Sequence, residues 1–125
     1  MLITEQEIVE LKKFIFELNS IKNSVVVVEG KRDATALERI GYEGEIIRFH
    51  NFQGMVKFTD FASKYENLIV LFDRDRKGRH FTRKMIQLLD RRTKIDISYK
   101  RKLQKITKGK ITFIEQLIWY EPFLV

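Results

Sequence analysis

The segment Ser24–Gly30, "SVVVVEG", decides the fold. Four consecutive valines make a β-branched run with no polar alternation, so the strand they form is covered on both faces, as in a parallel sheet. The run stops at an acid, Glu29, and a glycine, Gly30. A second buried run, "NLIVLFD" at 67–73, also stops at an acid, Asp73. Two shorter strands are expected at 45–49 ("EIIRF") and 94–97 ("KIDI").

Helical patterns lie between these runs. "TEQE" at 4–7 is a capping box, and Ile8, Leu11, Phe14, Ile15, Leu18 and Ile21 follow at helical spacing, which predicts a helix over about 4–20. Further helices are expected at "RDATALERIG" with Gly41 as its cap, at 54–65, and from Gly78 to residue 90. Strands alternating with helices mean right-handed crossovers and an α/β fold. The expectation is a single three-layer, Rossmann-like domain with a parallel sheet of about four strands flanked by helices. Residues 1–21 form an N-terminal helix packed on it, 22–97 the core, and 98–125 a helical extension. In that extension Ser98 is read as a cap, and Thr112 with Glu115 as a second capping box.

The chain has 125 residues with 24 Lys and Arg against 17 acids, a net charge of +7. Such a balance favours polyanions, nucleic acid first. There is no cysteine, which excludes a disulfide framework, a thiolate zinc site and a cysteine nucleophile. No apolar run approaches the ~20 residues of a membrane span, and the opening "MLITEQEIVE" lacks the order of a signal peptide. A cytoplasmic protein without a membrane partner is expected.

Ligands of open parallel sheets bind beyond the carboxyl ends of the strands. Glu29 and Asp73 fall there, with Asp75 two residues on and Asp33 in the first turn after Glu29. In extended chain, positions two apart point the same way, so Asp73 and Asp75 can reach one site. Carboxylates gathered without a partner resist ionisation, and a hard divalent cation resolves this. Lys31, Arg32, Arg74, Arg76, Lys77 and Arg79 ring the acids and suit phosphate oxygens. Acids for metal beside cations for phosphate is the layout of phosphoryl transfer on nucleic acid.

"VVVVEGKRDATAL" followed by "LIVLFDRDRKGR" resembles the Toprim domain, over roughly 22–97. That fold is shared by topoisomerases, bacterial-type primases, OLD-type nucleases, recombination proteins and the nuclease that matures 5S ribosomal RNA. The resemblance implies that Glu29 is the general acid/base or a metal ligand and that Asp73 and Asp75 bind Mg²⁺, with Mn²⁺ as a substitute. It implies that Asp33 is the extra acid of the nuclease branch, and that Gly30 and Gly78 are the motif glycines. Physical reasons are also offered for the glycines. Gly30 allows a sharp turn, and Gly78 lets a phosphate approach a helix start.

Plainer readings compete. Glu29 can be a solvated strand end, and the aspartates can be helix caps. The basic ring can be a solvated surface. His50 and His80 are single histidines without metal-ligand spacing. Tyr42, Tyr65, Tyr99 and Tyr120 have no separate domain to carry a topoisomerase nucleophile. A haloacid-dehalogenase-type phosphatase wants a small residue after its Asp-x-Asp, and "DRDRKG" has bulky cations. "IEQLIWYEPFLV" can be core packing or a dimer surface, and monomer and homodimer both stay open. Two functions remain: a Mg²⁺-dependent nuclease on RNA or DNA, RNA favoured, and a non-catalytic module that docks on RNA or a ribosome with partner proteins.

Overall fold

A computed structural model describes residues 2–73, 75–89 and 91–124. Among them the order is α1 (Glu5–Asn19), β1 (Ser24–Val28), α2 (Lys31–Arg39), β2 (Ile46–Arg48), α3 (Met55–Ala62), β3 (Asn67–Val70), α4 (Arg76–Leu89), β4 (Lys94–Asp96) and α5 (Ser98–Ile106). Short 3₁₀ turns cover Phe49–Asn51 and, at the end, Ile114–Phe123.

The four strands form one all-parallel sheet in the order β2-β1-β3-β4. All four valines of β1 are fully buried. Burying each contributes on the order of 2 kcal/mol relative to exposure, which is why the run reads so clearly as a central strand. Side chains alternate across the sheet. Val26, Val28, Ile69 and Leu71 pack under α1, α2, α5 and the C-terminal 3₁₀ segment. Val25, Val27, Leu68, Val70 and Phe72 pack under α3 and α4. The result is the three-layer α/β architecture expected.

Element ends differ from the sequence reading in instructive ways. Strand pairing in β3 stops at Val70, with one further bond from Leu71 N–H to the Val27 carbonyl. Leu71 and Phe72 stay buried without strand partners of their own, and the chain then turns into α4 at Arg76, two residues earlier than expected. Ser98 is the first residue of α5 and not its cap; Asp96 Oδ1 accepts from both its N–H and its hydroxyl. The C-terminal capping box is shifted by one residue. Gln116 Oε1, not Glu115, reaches back to the N–H groups of Thr112 and Phe113, because the 3₁₀ run begins at Ile114.

The N-terminal box forms as read, and the tertiary structure extends it. Glu7 accepts from Thr4 and is completely buried, where it also accepts from Lys110 Nζ at 2.6 Å and Tyr120 OH at 2.8 Å. Burial alone would raise this carboxyl, but its bonds to Lys110, Tyr120 and Thr4 prevail and hold it down at about 2. Both ends of the chain are thereby locked to one buried charge.

Candidate metal centre

The sheet order places a switch point between β1 and β3. The chain leaves β1 for β2 on one side and returns through β3 on the other, which opens a crevice at the two carboxyl ends. Glu29 and Asp73 stand at that crevice. Asp33 joins them from the first turn of α2. One carboxylate oxygen from each of Glu29, Asp33 and Asp73 lies within 4.8 Å of the others, and all three residues are buried.

The two aspartates are oriented from the backbone. Asp33 Oδ2 accepts from Gly30 N–H at 3.1 Å, which ties the first turn of α2 to its N-cap, and its carboxylate also accepts from the Glu115 N–H. Continuing the alternation of β3 puts Asp73 with Ile69 and Leu71 on the α5 side. There its Oδ1 accepts from Ile114 N–H at 2.8 Å, while its carbonyl accepts from Lys100 Nζ at 3.1 Å. Each aspartate thus has its carboxylate anchored by a backbone N–H.

The electrostatics are those of a cluster short of positive charge. Burial, a hydrogen bond with Asp73 and the charges of Asp73, Asp75 and Asp33 push Glu29 up to about 8. Burial and the Asp73 charge push Asp33 up to about 6. Lys100 faces the cluster; burial lowers its ammonium pKa, while the charges of Asp73, Glu29 and Asp75 act to raise it. Buried oxygen donors at this spacing fit a hard divalent cation, which would displace any proton they hold.

Asp75 stands outside this trio. It comes immediately before α4, so the alternation that was to set it beside Asp73 does not reach it. Asp75 Oδ1 accepts from Gly78 N–H at 2.7 Å, and its carbonyl receives the first helical bond, from Arg79. It therefore caps α4, and acts on the cluster through charge.

The two motif glycines have steric reasons that differ from those read in the sequence. Gly30 has an extended backbone, with φ −149°, so no sharp turn requires it. A Cβ there would come 3.2 Å from His50 Nδ1, which stands over the loop. Gly78 is buried in the first turn of α4, and a Cβ there would lie 2.0 Å from the Asp73 carbonyl oxygen. The place imagined for a phosphate is filled by the backbone of Asp73 itself.

The described members of the expected basic ring lie at the protein surface. Lys31, Arg32, Arg76, Lys77 and Arg79 are exposed. Arg32 pairs loosely with Glu115 at 3.9 Å, and Lys77 lies 5.6 Å over the Phe81 ring. Arg74 lies outside the described residues. Lys100 and the N–H groups of Ile114 and Glu115 are participants that the sequence reading missed. Nothing local in "SYKRKLQKI" or "TFIEQLIWY" marks them, because their role depends on where the C-terminal segment docks.

The geometry defines the class. The chain belongs to the Toprim domain family, whose model matches residues 24–115. Within that class it is similar to small archaeal UPF0292 proteins. One from Thermococcus sibiricus is 37% identical over 114 residues, covering 90% of this chain and 83% of the relative. Another, from Archaeoglobus fulgidus, is 31% identical, covering 86% of this chain and 89% of the relative. A solved structure of a protein from Aquifex aeolicus has the same fold, with a TM-score of 0.65 and 29% identity, covering 85% of this chain and 96% of that one. Family and acidic cluster together support a metal-dependent role connected with nucleic acid. No described helix is long and apolar enough to cross a membrane.

Proposed function

We propose that this protein is a divalent-metal-dependent nuclease that hydrolyses phosphodiester bonds, with Mg²⁺ as the natural ion and RNA as the favoured polymer. The observation that carries the reading is the convergence of three buried carboxylates, Glu29, Asp33 and Asp73, at the switch-point crevice. These three would hold the ion, and Asp75, engaged as a cap, would add its charge to the site.

A bound divalent ion supplies polarisation of a phosphoryl oxygen and a water of lowered pKa. The chain supplies the rest. Glu29, at the end of β1 and within the cluster, is the group placed to take a proton from an attacking water and return it to the leaving oxygen. Asp73 is kept from rotating by Ile114 N–H, and Lys100 ties its carbonyl to α5. The exposed cations Lys31, Arg32, Arg76 and Lys77 draw a phosphate chain toward the crevice.

A cleavage assay tests this. Purified protein is mixed with end-labelled single-stranded and structured RNA and DNA, in Mg²⁺, Mn²⁺ or EDTA, with Asp73→Asn alongside. Metal-dependent cutting that the variant loses is the expected result. If wild type binds the polymers but cuts none of them, the catalytic reading fails and a docking module working with partner proteins takes its place.

A further inference from the structure

A second concavity adjoins the acidic centre on its β4 side. It is a groove of about 580 Å³ between α4 and α5. Arg79 and Arg83 enter it from α4, one turn apart, and Lys100 and Arg101 from α5. No acid lines it among the described residues. Among those residues, too, neither Arg83 nor Arg101 forms an ion pair. A cleft lined by Arg83 and Arg101, with no acid on its described walls, concentrates anions.

The walls are not only charged. Ile86 of α4 and Ile97, just before α5, are 39% and 44% exposed and line the same groove. Apolar walls under a cationic rim fit a ligand with both a flat apolar body and a negative backbone. A nucleotide is such a ligand, and the volume falls within the range of about 300–1,000 Å³ for small-ligand sites. A paired helix is too wide to enter a cleft of this size; an unpaired strand can lay a base in it. Lys100 joins the two sites, because it lines the groove and donates to the Asp73 carbonyl.

We propose that the α4–α5 groove binds an unpaired stretch of one or two nucleotides and feeds the adjoining phosphate to the acidic centre. The inference rests on the phosphodiester-processing reading of that centre, and it adds that the substrate is single-stranded where it enters. It also moves the principal phosphate contacts from the loop cations to Arg83 and Arg101.

Binding in EDTA tests the groove without any cutting. Fluorescence anisotropy is measured with labelled single-stranded RNA and DNA of about eight nucleotides, and with the matching duplexes, over a range of salt. Single strands should bind about tenfold more tightly than duplexes. Arg83→Glu with Arg101→Glu should weaken single-strand binding by about a hundredfold and flatten the salt slope by about 1.4, from two lost phosphate contacts. Lys12→Glu with Lys13→Glu, the same charge change on exposed residues of α1, should cost far less. Ile86→Ser should weaken single strands by about fivefold without altering the salt slope.

The proposal is overturned if duplex binds as well as single strand, or if the α1 and groove variants lose equal affinity. All four cations changed are exposed, and a thermal melt confirms folding. The two readings fail separately. Cutting abolished by Asp73→Asn, with binding indifferent to Arg83 and Arg101, would sink the groove alone. Groove-dependent binding without cutting would sink the nuclease alone.

Discussion

Ile114 N–H donates to Asp73 Oδ1 at 2.8 Å, although the two residues are 41 positions apart. This bond is buried and joins the C-terminal segment to the end of β3. It fixes the orientation of an acid that would otherwise turn away from its two like-charged neighbours. Ile114 is the first residue of a 3₁₀ run, and Phe113 before it is extended, so proline fits there. Ile114→Pro removes this donor. Metal affinity should fall about tenfold, as for other supporting hydrogen bonds, while Ile114→Val restores it. Titration with Mn²⁺ measures both.

The acidic cluster should make the metal-free protein less stable as pH rises. Glu29 sits at about 8 in the folded chain against an ordinary 4.5, and Asp33 at about 6 against 3.8. Above the ordinary values the folded state keeps protons that the unfolded state has released. Stability therefore falls as pH climbs from about 4 to about 8. Mg²⁺ should raise the melting temperature strongly at pH 8 and little at pH 5. Glu29→Gln should flatten the metal-free profile and abolish most of the Mg²⁺ effect. Thermal melts at both pH values, with and without EDTA, check this.

Gly78→Ala should be more damaging than a surface helix substitution. Its Cβ would meet the carbonyl oxygen of Asp73 at 2.0 Å and its nitrogen at 3.2 Å, and backbone cannot swing aside. A cost of about 3 kcal/mol is expected, the upper end for overpacking. Asp73 must move to relieve it, so metal binding should weaken in any protein that still folds. Urea unfolding and Mn²⁺ titration together separate the two effects.

Lys110→Met should expose how much the buried Glu7 depends on its partner. Glu7 has no exposed surface, and losing Lys110 leaves its charge supported only by Tyr120 and Thr4. About 3 kcal/mol should be lost at pH 7, and adding Glu7→Gln should recover part of it. In wild type the Glu7 contribution has the opposite pH sign to the acidic cluster. With a folded value of about 2 below the ordinary 4.5, it is present above about 4.5 and lost as pH falls toward 2. Acid titrations of wild type and variant measure the difference.

The site was legible to different depths. Glu29 and Asp73 were readable because a buried strand that ends in an acid must present that acid at the sheet's edge. Asp33 followed from its place in a helical first turn. Asp75 was assigned beside Asp73 on the assumption of extended chain. Capping was the plainer reading weighed against it, and the start of α4 at Arg76 with the bond from Gly78 N–H decides for the cap. Lys100, Ile114 and Glu115 carry no local sign of their roles, because a lysine on an amphipathic helix or an N–H in a turn looks the same wherever it docks. Of the groove arginines, Arg79 belonged to the expected basic ring, whereas Arg83 and Arg101 read alone as solvated helix faces.

By itself, the sequence determined the layered α/β fold, the parallel sheet and the identity of the two strands that bear acids. These follow from hydrophobic periodicity and β-branching, which act over a few residues and leave their record in the order of side chains. Only the tertiary structure decided which acids meet, which one caps a helix, and why Gly78 has no room for a side chain. Those outcomes depend on the docking of α5 and the C-terminal 3₁₀ segment across the end of β3. Contacts between residues far apart in sequence, such as Asp73 with Lys100 and Ile114, are set by packing and hydrogen-bond satisfaction in three dimensions.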